Sequence, residues 1–413
     1  MRIVLFYCGV DSFNFFSDCL DKELKQRGHE TFILDLRNPP ESAIHSFSSF
    51  EGFILSGVDA VICFDAFAIR NEINNVWTEI WNVLGTTVID IFMDPPLRFH
   101  PVFLNPPKKY HLFCCDWEHV EYVKQYFGQI KVDFMPHVGV MPNIVKEKDI
   151  LNVQKENIKV LPYVYEERIY DILFCGTYYC YQDKLEEIKT VCPKDSKLYY
   201  LYQILFENLV KDSSLSVWQG VIHTLGELQW SVTENGLKSI LRLAEHIDWA
   251  IRMYWREQVI SVLAKAGLNL YLLGRGWENH PASGMSNIHR INDRISYKET
   301  LPYMRNAKIN LNVMPGFKYG THDRIFNAFL QQSVSLTDSS AWIDNNFTDG
   351  VDIALYSLKY LEQLPIIAKR LLEDTSLAEK IIENGYKKVA ENFTWSNCTD
   401  WILKAIKEEN NLC

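Results

Sequence analysis

The sequence predicts an α/β protein of two parallel-sheet domains, and three observations carry that reading. The chain has 413 residues, more than one hydrophobic core usually serves. Short, continuously apolar runs of the kind buried on both faces of a parallel sheet recur between helix-period segments. The opening apolar run of each half ends in a glycine, Gly9 in the first and Gly176 in the second, as the first strand of a βαβ unit does when the chain must turn tightly into a helix.

Residues 2–8 read as the first strand, followed by a helical pattern through Leu20 and Leu24 to Gly28 and by a second strand at Thr31–Leu36. Val58–Phe64, Thr86–Met93, Tyr110–Cys115 and Val132–Met135 supply further strands, and the first domain closes near Pro142. A polar, weakly periodic connector spans 143–168, and the second domain, 169–394, opens with the strand that runs from Tyr170 into Gly176. Its next strand is expected at Leu268–Leu273. The stretch between them exceeds a single crossover and reads as helical at Leu198–Val210, Val217–Leu228 and Leu237–Ala266, so an insertion is expected at about 185–240. It can shape an acceptor site or an oligomer contact, or simply pack. A last helix, 395–413, follows Thr394-Trp395, with Ser396 available as its cap.

Composition excludes several classes. A formal charge of -10 argues against general nucleic-acid binding, which needs a basic footprint. The ten cysteines show no Cys-x-x-Cys spacing for zinc. Cys8, Cys63 and Cys175 sit in apolar runs, where a thiol acts as a small hydrophobe, so a cytoplasmic location is expected. The apolar start is broken by Asp11 and reads as a strand rather than a signal peptide. No apolar run approaches the ~20 residues of a membrane span.

The chemistry concentrates in Asn312–Leu330 and the following Gln331–Ser340: a strand end, a loop with Gly320 and Thr321, a short helix opening His322-Asp323-Arg324, and a strand ending in Asp338. A loop feeding a helix N-terminus favours anions through its unpaired N–H groups and its dipole. Arg324 adds a forked cation suited to a diphosphate, though pairing with Asp323 would be the structural alternative. Gly176 and Thr177 stand where backbone can approach phosphate. Arg275, in Gly274-Arg275-Gly276, could face the same crevice or be a solvated turn residue. Asp338 can touch a ribose or sugar, or cap the helix after Ser340.

These features, with Leu270–Trp277 and Ile295–Asn312 upstream and Phe347-Thr-Asp-Gly350 and Asn392-Phe-Thr-Trp395 downstream, resemble the C-terminal half of nucleotide-sugar glycosyltransferases of the GT-B fold. The bacterial branch that includes the spore-maturation glycosyltransferase-like proteins is similar. The resemblance is firm over 268–401, about a third of the chain, and pattern-level before that. It implies two facing Rossmann-like domains, with the last helix packing back on the first. It also implies a hexosyltransferase-like, metal-independent enzyme with no cofactor, a UDP-sugar as donor co-substrate, and an acceptor that is a protein, glycan or envelope precursor.

Retaining members of this fold carry two glutamates eight positions apart on this loop and helix. Tyr319 and Asn327 stand there instead, so the stereochemical outcome stays open. Asn327 could still bond a ribose hydroxyl, and His322 and Asp323 are the nearest polar substitutes. On the first domain Asp94, in Met93-Asp-Pro-Pro96, is the candidate general base, with turn formation as its bland alternative. Asp11 is the next choice, and Gly9, His100 and His137 are candidate crevice residues. A degenerate protein that binds a nucleotide sugar or a partner without turnover is the competing reading, and an epimerase of the same architecture is a weaker third.

Overall fold

The computed structural model describes residues 1–37, 40–69, 76–142, 164–193 and 196–411. The chain divides into two compact units: Met1–Val138 with Ser296–Lys298 and Phe393–Cys413, and Gly139–Ile295 with Glu299–Asn392. Most of the expected connector, 143–163, lies outside the described residues.

In the first unit the strands β1 (Arg2–Tyr7), β2 (Glu30–Asp35), β3 (Ala60–Phe64), β4 (Thr87–Phe92), β5 (Tyr110–Cys114) and β6 (Lys131–Phe134) form one parallel sheet in the order β2-β1-β3-β4-β5-β6. The central strands β3 and β4 are buried along their whole length; β3 accordingly reads as an unbroken apolar run, while β4 carries one buried acidic residue, Asp90, whose Oδ1 accepts from the Ala66 N–H at 3.0 Å and Oδ2 from the Tyr110 hydroxyl at 2.9 Å. The helix Trp395–Asn411 packs on the helix Asp11–Gln26 and on β4. Arg27 secures it: Nε donates to Asp400 Oδ1 at 3.0 Å and Nη2 to the Ser396 carbonyl at 3.0 Å. The start of that helix is closed by Thr394 rather than Ser396. The Thr394 N–H donates to Asn397 Oδ1 at 2.9 Å while Thr394 Oγ1 accepts from the Asn397 N–H at 3.5 Å, a reciprocal closure that satisfies the first turn one residue pair earlier than the sequence suggested.

The second unit is built on β7 (Tyr170–Cys175), β8 (Leu270–Leu273), β9 (Ile288–Asn292), β10 (Ala307–Leu311), β11 (Val334–Asp338) and β12 (Ala354–Tyr356), again parallel, in the order β12-β11-β10-β7-β8-β9. The strand order reverses between β7 and β10, where Leu173 is in register with Asn310 and Phe174 with Leu311. At such a reversal the loops leaving the two strands splay to opposite faces, and the space beyond their carboxyl ends becomes the ligand crevice.

Between β7 and β8 run helices Tyr181–Val191, Lys197–Lys211, Val217–Glu227, Glu234–Leu243 and Glu245–Lys265. The segment Leu237–Ala266, read as one helical stretch, is two helices that break at Ala244, where the Ala244 N–H reaches the Leu241 carbonyl at 3.2 Å as well as that of Ile240 at 3.0 Å. The tightened turn redirects the chain without a glycine or proline. The helix Glu245–Lys265 buries residues around most of its circumference, including Ile247, Ala250, Trp255, Val259 and Leu263, so it forms the layer under the sheet.

Candidate donor-phosphate site

Three loops meet at the carboxyl ends of β7, β8 and β10. The Gly176 N–H donates to the Leu273 carbonyl at 2.8 Å and the Tyr178 N–H to the Arg275 carbonyl at 2.9 Å, so the β7 and β8 loops run pressed together. A Cβ on Gly276, whose φ is +84°, would stand 2.0 Å from the Tyr178 carbonyl oxygen; only glycine fits both the backbone conformation and the space. The indole N–H of buried Trp277 donates to the Gly176 carbonyl at 2.8 Å. The Gly274-Arg275-Gly276 segment therefore builds the wall that holds the β7 loop, and Arg275 points to solvent as an exposed side chain.

Arg324 enters this space from the first turn of the helix Asp323–Leu330. Its Nε donates to Asn312 Oδ1 at 2.9 Å and its Nη1 to the Cys175 carbonyl at 3.2 Å. These contacts aim the guanidinium at the junction of β7 and β10, beside Gly176, whose absent Cβ would lie 3.5 Å from Nη1. Two further arginines, one helical turn apart on the helix Glu245–Lys265, converge on the same place. Arg256 Nη1 donates to the Thr177 carbonyl, and its Nε is buried with no hydrogen-bond partner. Arg252 packs against Gly316 of the β10 loop, lies over Phe317 at 5.5 Å, and pairs through Nε with Asp248 at 3.2 Å.

Desolvation, and then repulsion from Arg324 and Arg252, pull Arg256 down to about 9. Burial is the larger part of that cost, and the repulsion among the three guanidiniums is a local excess of positive charge that a multivalent anion would relieve.

The helix Asp323–Leu330 is fixed in turn by polar contacts. His322 Nδ1 lies 2.6 Å from Asp323 Oδ1 and 3.4 Å from the Arg324 N–H; the shorter contact, to a carboxylate, makes Nδ1 the proton-bearing atom. Asn327 is 1% exposed; its Oδ1 accepts from the Val140 N–H at 2.9 Å and its Nδ2 donates to Asp323 Oδ2 at 3.4 Å. The neighbouring Gly139 lets that strand of chain lie on the helix, since a Cβ there would come within 2.8 Å of Leu330 and of the Phe326 backbone. The amide expected at a ribose hydroxyl is thus committed to the protein interior. Asp338, also buried, accepts from the Met314 N–H at 2.8 Å and is pushed up to about 6, by burial above all. Its alternative capping role falls to Ser340, whose Oγ accepts from the Ile343 N–H at 3.1 Å. Thr321 and Gly320 are buried, and the Gly320 carbonyl accepts from Ser340 Oγ at 2.6 Å.

In the first unit the turn after β1 is shaped by Asn14, a residue without sequence signal. Its Oδ1 accepts from the Cys8 N–H at 2.6 Å and its Nδ2 donates to the Cys8 carbonyl at 3.0 Å. Gly9 is exposed, and Asp11, at the start of the first helix, accepts from the Tyr297 N–H. Asp94 pairs with Arg98 at 2.8 Å, and its N–H reaches Asp65 Oδ1 at 3.3 Å. Burial, with Asp94 next, pushes the Asp65 carboxyl well up. His100 is buried with Nε2 against the Tyr122 hydroxyl and its ring edge-on to Phe127, a packed histidine. His137 is buried as well. Among the described residues there is no group of three or more His, Cys, Asp or Glu side chains placed to hold a metal ion, and no helix is long and apolar enough to cross a membrane.

Two Rossmann-like sheets in one chain, the second with its strand reversal beside a cationic loop cluster, define a GT-B architecture. The solved structures agree: sucrose-phosphate synthase from Thermosynechococcus elongatus covers 100% of this chain and 100% of its own at 9% identity with a TM-score of 0.54. HepE from Anabaena, solved with UDP-glucose, covers 99% and 100% at 10% identity with a TM-score of 0.51. Residues 256–404 match the glycosyl transferase-like family, a segment that begins at Arg256 and takes in the whole β8–β12 region. The chain matches no curated protein sequence.

Proposed function

We propose that this protein is a nucleotide-sugar-dependent glycosyltransferase whose second unit binds the donor. The observation that carries the reading is the convergence of Arg252, Arg256 and Arg324 at the strand reversal between β7 and β10. Glycosyl transfer breaks the bond from the anomeric carbon to a nucleoside diphosphate, and charge grows on the departing diphosphate as it does so. Preformed cations there act more strongly on the transition state than on the ground state. Arg324 and Arg256 bind and neutralise that charge, while the backbone of Gly176 and of Gly320 to Asp323 lines the phosphates. The guanidiniums fill this role without a resident metal. The donor is a UDP-hexose, in keeping with the UDP-glucose bound to HepE. Asp94 is the proposed base on the acceptor hydroxyl, with Asp11 as the alternative, and the acceptor is a protein, glycan or envelope precursor in the cytoplasm.

The test is calorimetric titration of the purified protein with UDP, GDP and uridine, followed by chromatography of UDP-sugars incubated with it. Tight diphosphate binding with donor consumption is expected. Equal or absent binding of diphosphate and nucleoside would overturn the assignment.

One observation favours a second reading, binding without turnover. The two positions that carry glutamates in retaining enzymes of this fold are Tyr319 and Asn327, and Asn327 is bonded to Val140 and Asp323. Diphosphate binding with no donor consumption in the same assay would select it.

A further inference from the structure

The helical insertion reaches the loop that leads from β10 into the helix Asp323–Leu330. Lys318 Nζ donates to the Ser213 carbonyl at 2.6 Å, and Gln219 Nε2 donates to the Tyr319 hydroxyl at 3.4 Å. Ser213 and Gln219 belong to the turn and first helical residues that join Lys197–Lys211 to Val217–Glu227. That turn is built to be stiff. Asp212 Oδ1 accepts from both the N–H and the hydroxyl of Ser214, at 2.9 and 2.6 Å. Ser216 and Gln219 close a reciprocal cap on the second helix, with Gln219 N–H to Ser216 Oγ at 3.1 Å and Ser216 N–H to Gln219 Oε1 at 3.2 Å.

The two helices of this hairpin are tightly packed. A Cβ on Gly220 would lie 2.8 Å from a Leu209 methyl and 2.9 Å from a Leu205 methyl, so any larger residue there would push those side chains aside. The Ser214 hydrogen bonds, with smaller contributions from Lys359 and Lys318, hold the Asp212 carboxyl below its usual range. The turn therefore presents an anionic, rigid surface to Lys318. From the opposite side the same loop is held by its own domain, through the Ala341 N–H to the Lys318 carbonyl at 2.9 Å and Ser340 Oγ to the Gly320 carbonyl at 2.6 Å.

We propose that the turn Asp212–Ser216 and Gln219 act as a donor-side strap, setting the position of the 313–322 loop so that its backbone and Arg324 meet the diphosphate preorganised. The inference rests on the donor reading above, and it gives the insertion a role in donor binding in place of acceptor choice or assembly. Lys318 is a positioning residue here: it acts through the loop. Holding a binding loop in its bound conformation before the ligand arrives raises affinity by removing the ordering cost.

The test uses the full chain with Lys318→Met and, separately, Gln219→Ala, which leaves the loop's own sequence intact. Amide hydrogen exchange is followed in nucleotide-free protein over 212–219 and 313–322, alongside UDP affinity by calorimetry. Faster exchange in both segments for each variant is expected, with UDP affinity down about tenfold for Lys318→Met and a few-fold for Gln219→Ala. If Lys318→Met weakens UDP while exchange at 212–219 stays at the wild-type rate, Lys318 is a direct phosphate ligand and the strap is overturned. Unchanged UDP affinity in both variants overturns it too. Wild-type protein that binds neither UDP nor GDP defeats the donor reading itself and the proposal with it, and is recognised before any variant is compared.

Discussion

Arg256 and Arg324 share one aromatic ring: their guanidinium carbons lie 5.2 and 5.4 Å from the centroid of Phe174, the penultimate residue of β7. Two like charges on one ring repel, and the ring's negative face offsets only part of that cost, ~0.5–2 kcal/mol per cation. The arrangement persists because backbone carbonyls hold each group, Thr177 for Arg256 and Cys175 for Arg324. A diphosphate placed at this junction turns the repulsion into a reason to bind.

Replacing Arg324 by Ala removes a charge-assisted contact from the diphosphate and leaves the base and ribose untouched. UDP affinity is expected to fall about 10- to 100-fold, the worth of ~1.5–3 kcal/mol for a hydrogen bond to a charged group. Uridine binding should change little, and calorimetry with both ligands reads the difference. A parallel loss for uridine would mean that the variant disturbs the loop rather than the phosphate.

Arg256 separates stability from function. Its guanidinium is desolvated and repelled by two neighbours, so an apolar side chain of similar length is tolerated in the free protein. Arg256→Met is expected to melt at or above the wild-type temperature without ligand, and to lose most of the stabilisation that saturating UDP confers. That stabilisation is roughly 2.7 kcal/mol at 100 times the dissociation constant. Thermal melts with and without UDP check both halves, and a variant that melts lower yet keeps the UDP shift would place Arg256 outside the phosphate site.

How much of this was legible in the sequence depends on the residue. Arg324 was readable because its meaning is local: a loop, a helix start and a cation within a few positions. Arg252 and Arg256 were not, because they lie in a helix far upstream and look like ordinary polar positions in an apolar period; only the fold brings them to β7. The buried strand β3 announced itself as a continuous apolar run, and β4 and β7 as apolar runs broken by a single aspartate each, Asp90 and Asp171. β9 went unread because it is an edge strand of which only Ile288 is buried, and Ile288-His-Arg-Ile-Asn292 carries no such run. Asn327 had the right chemistry for a ribose, but the close approach at Gly139 that spends its amide on Val140 is a tertiary fact.

Asp338 gives a pH signature. Its folded value of about 6 stands above the ordinary aspartate value of 3.8, so the native state binds more protons than the unfolded chain between these two values. The stabilisation is fully present below about pH 4 and is lost as pH rises through about 6, a change of order 3 kcal/mol for a two-unit shift. Asp338→Asn keeps an acceptor for the Met314 N–H and removes the titration. Denaturant unfolding at pH 5 and pH 8 is expected to show the variant gaining on wild type at pH 8 more than at pH 5. An equal effect at both values would show that Asp338 titrates normally.

Asp94 tests the proposed chemistry of the first unit. Its side chain is held by Arg98, which is 8% exposed, so the group is positioned before any acceptor arrives. Asp94→Asn keeps size and hydrogen bonding and removes basicity, and it leaves the Arg98 charge less compensated. A fall in turnover of about 10²–10⁴-fold with UDP affinity unchanged is expected of a general base, together with loss of the acidic limb of the rate–pH profile. The limb is the decisive readout, because a merely structural loss would lower the rate at every pH alike. If the variant keeps both the rate and the limb, Asp94 forms the turn and Asp11→Asn becomes the variant to assay.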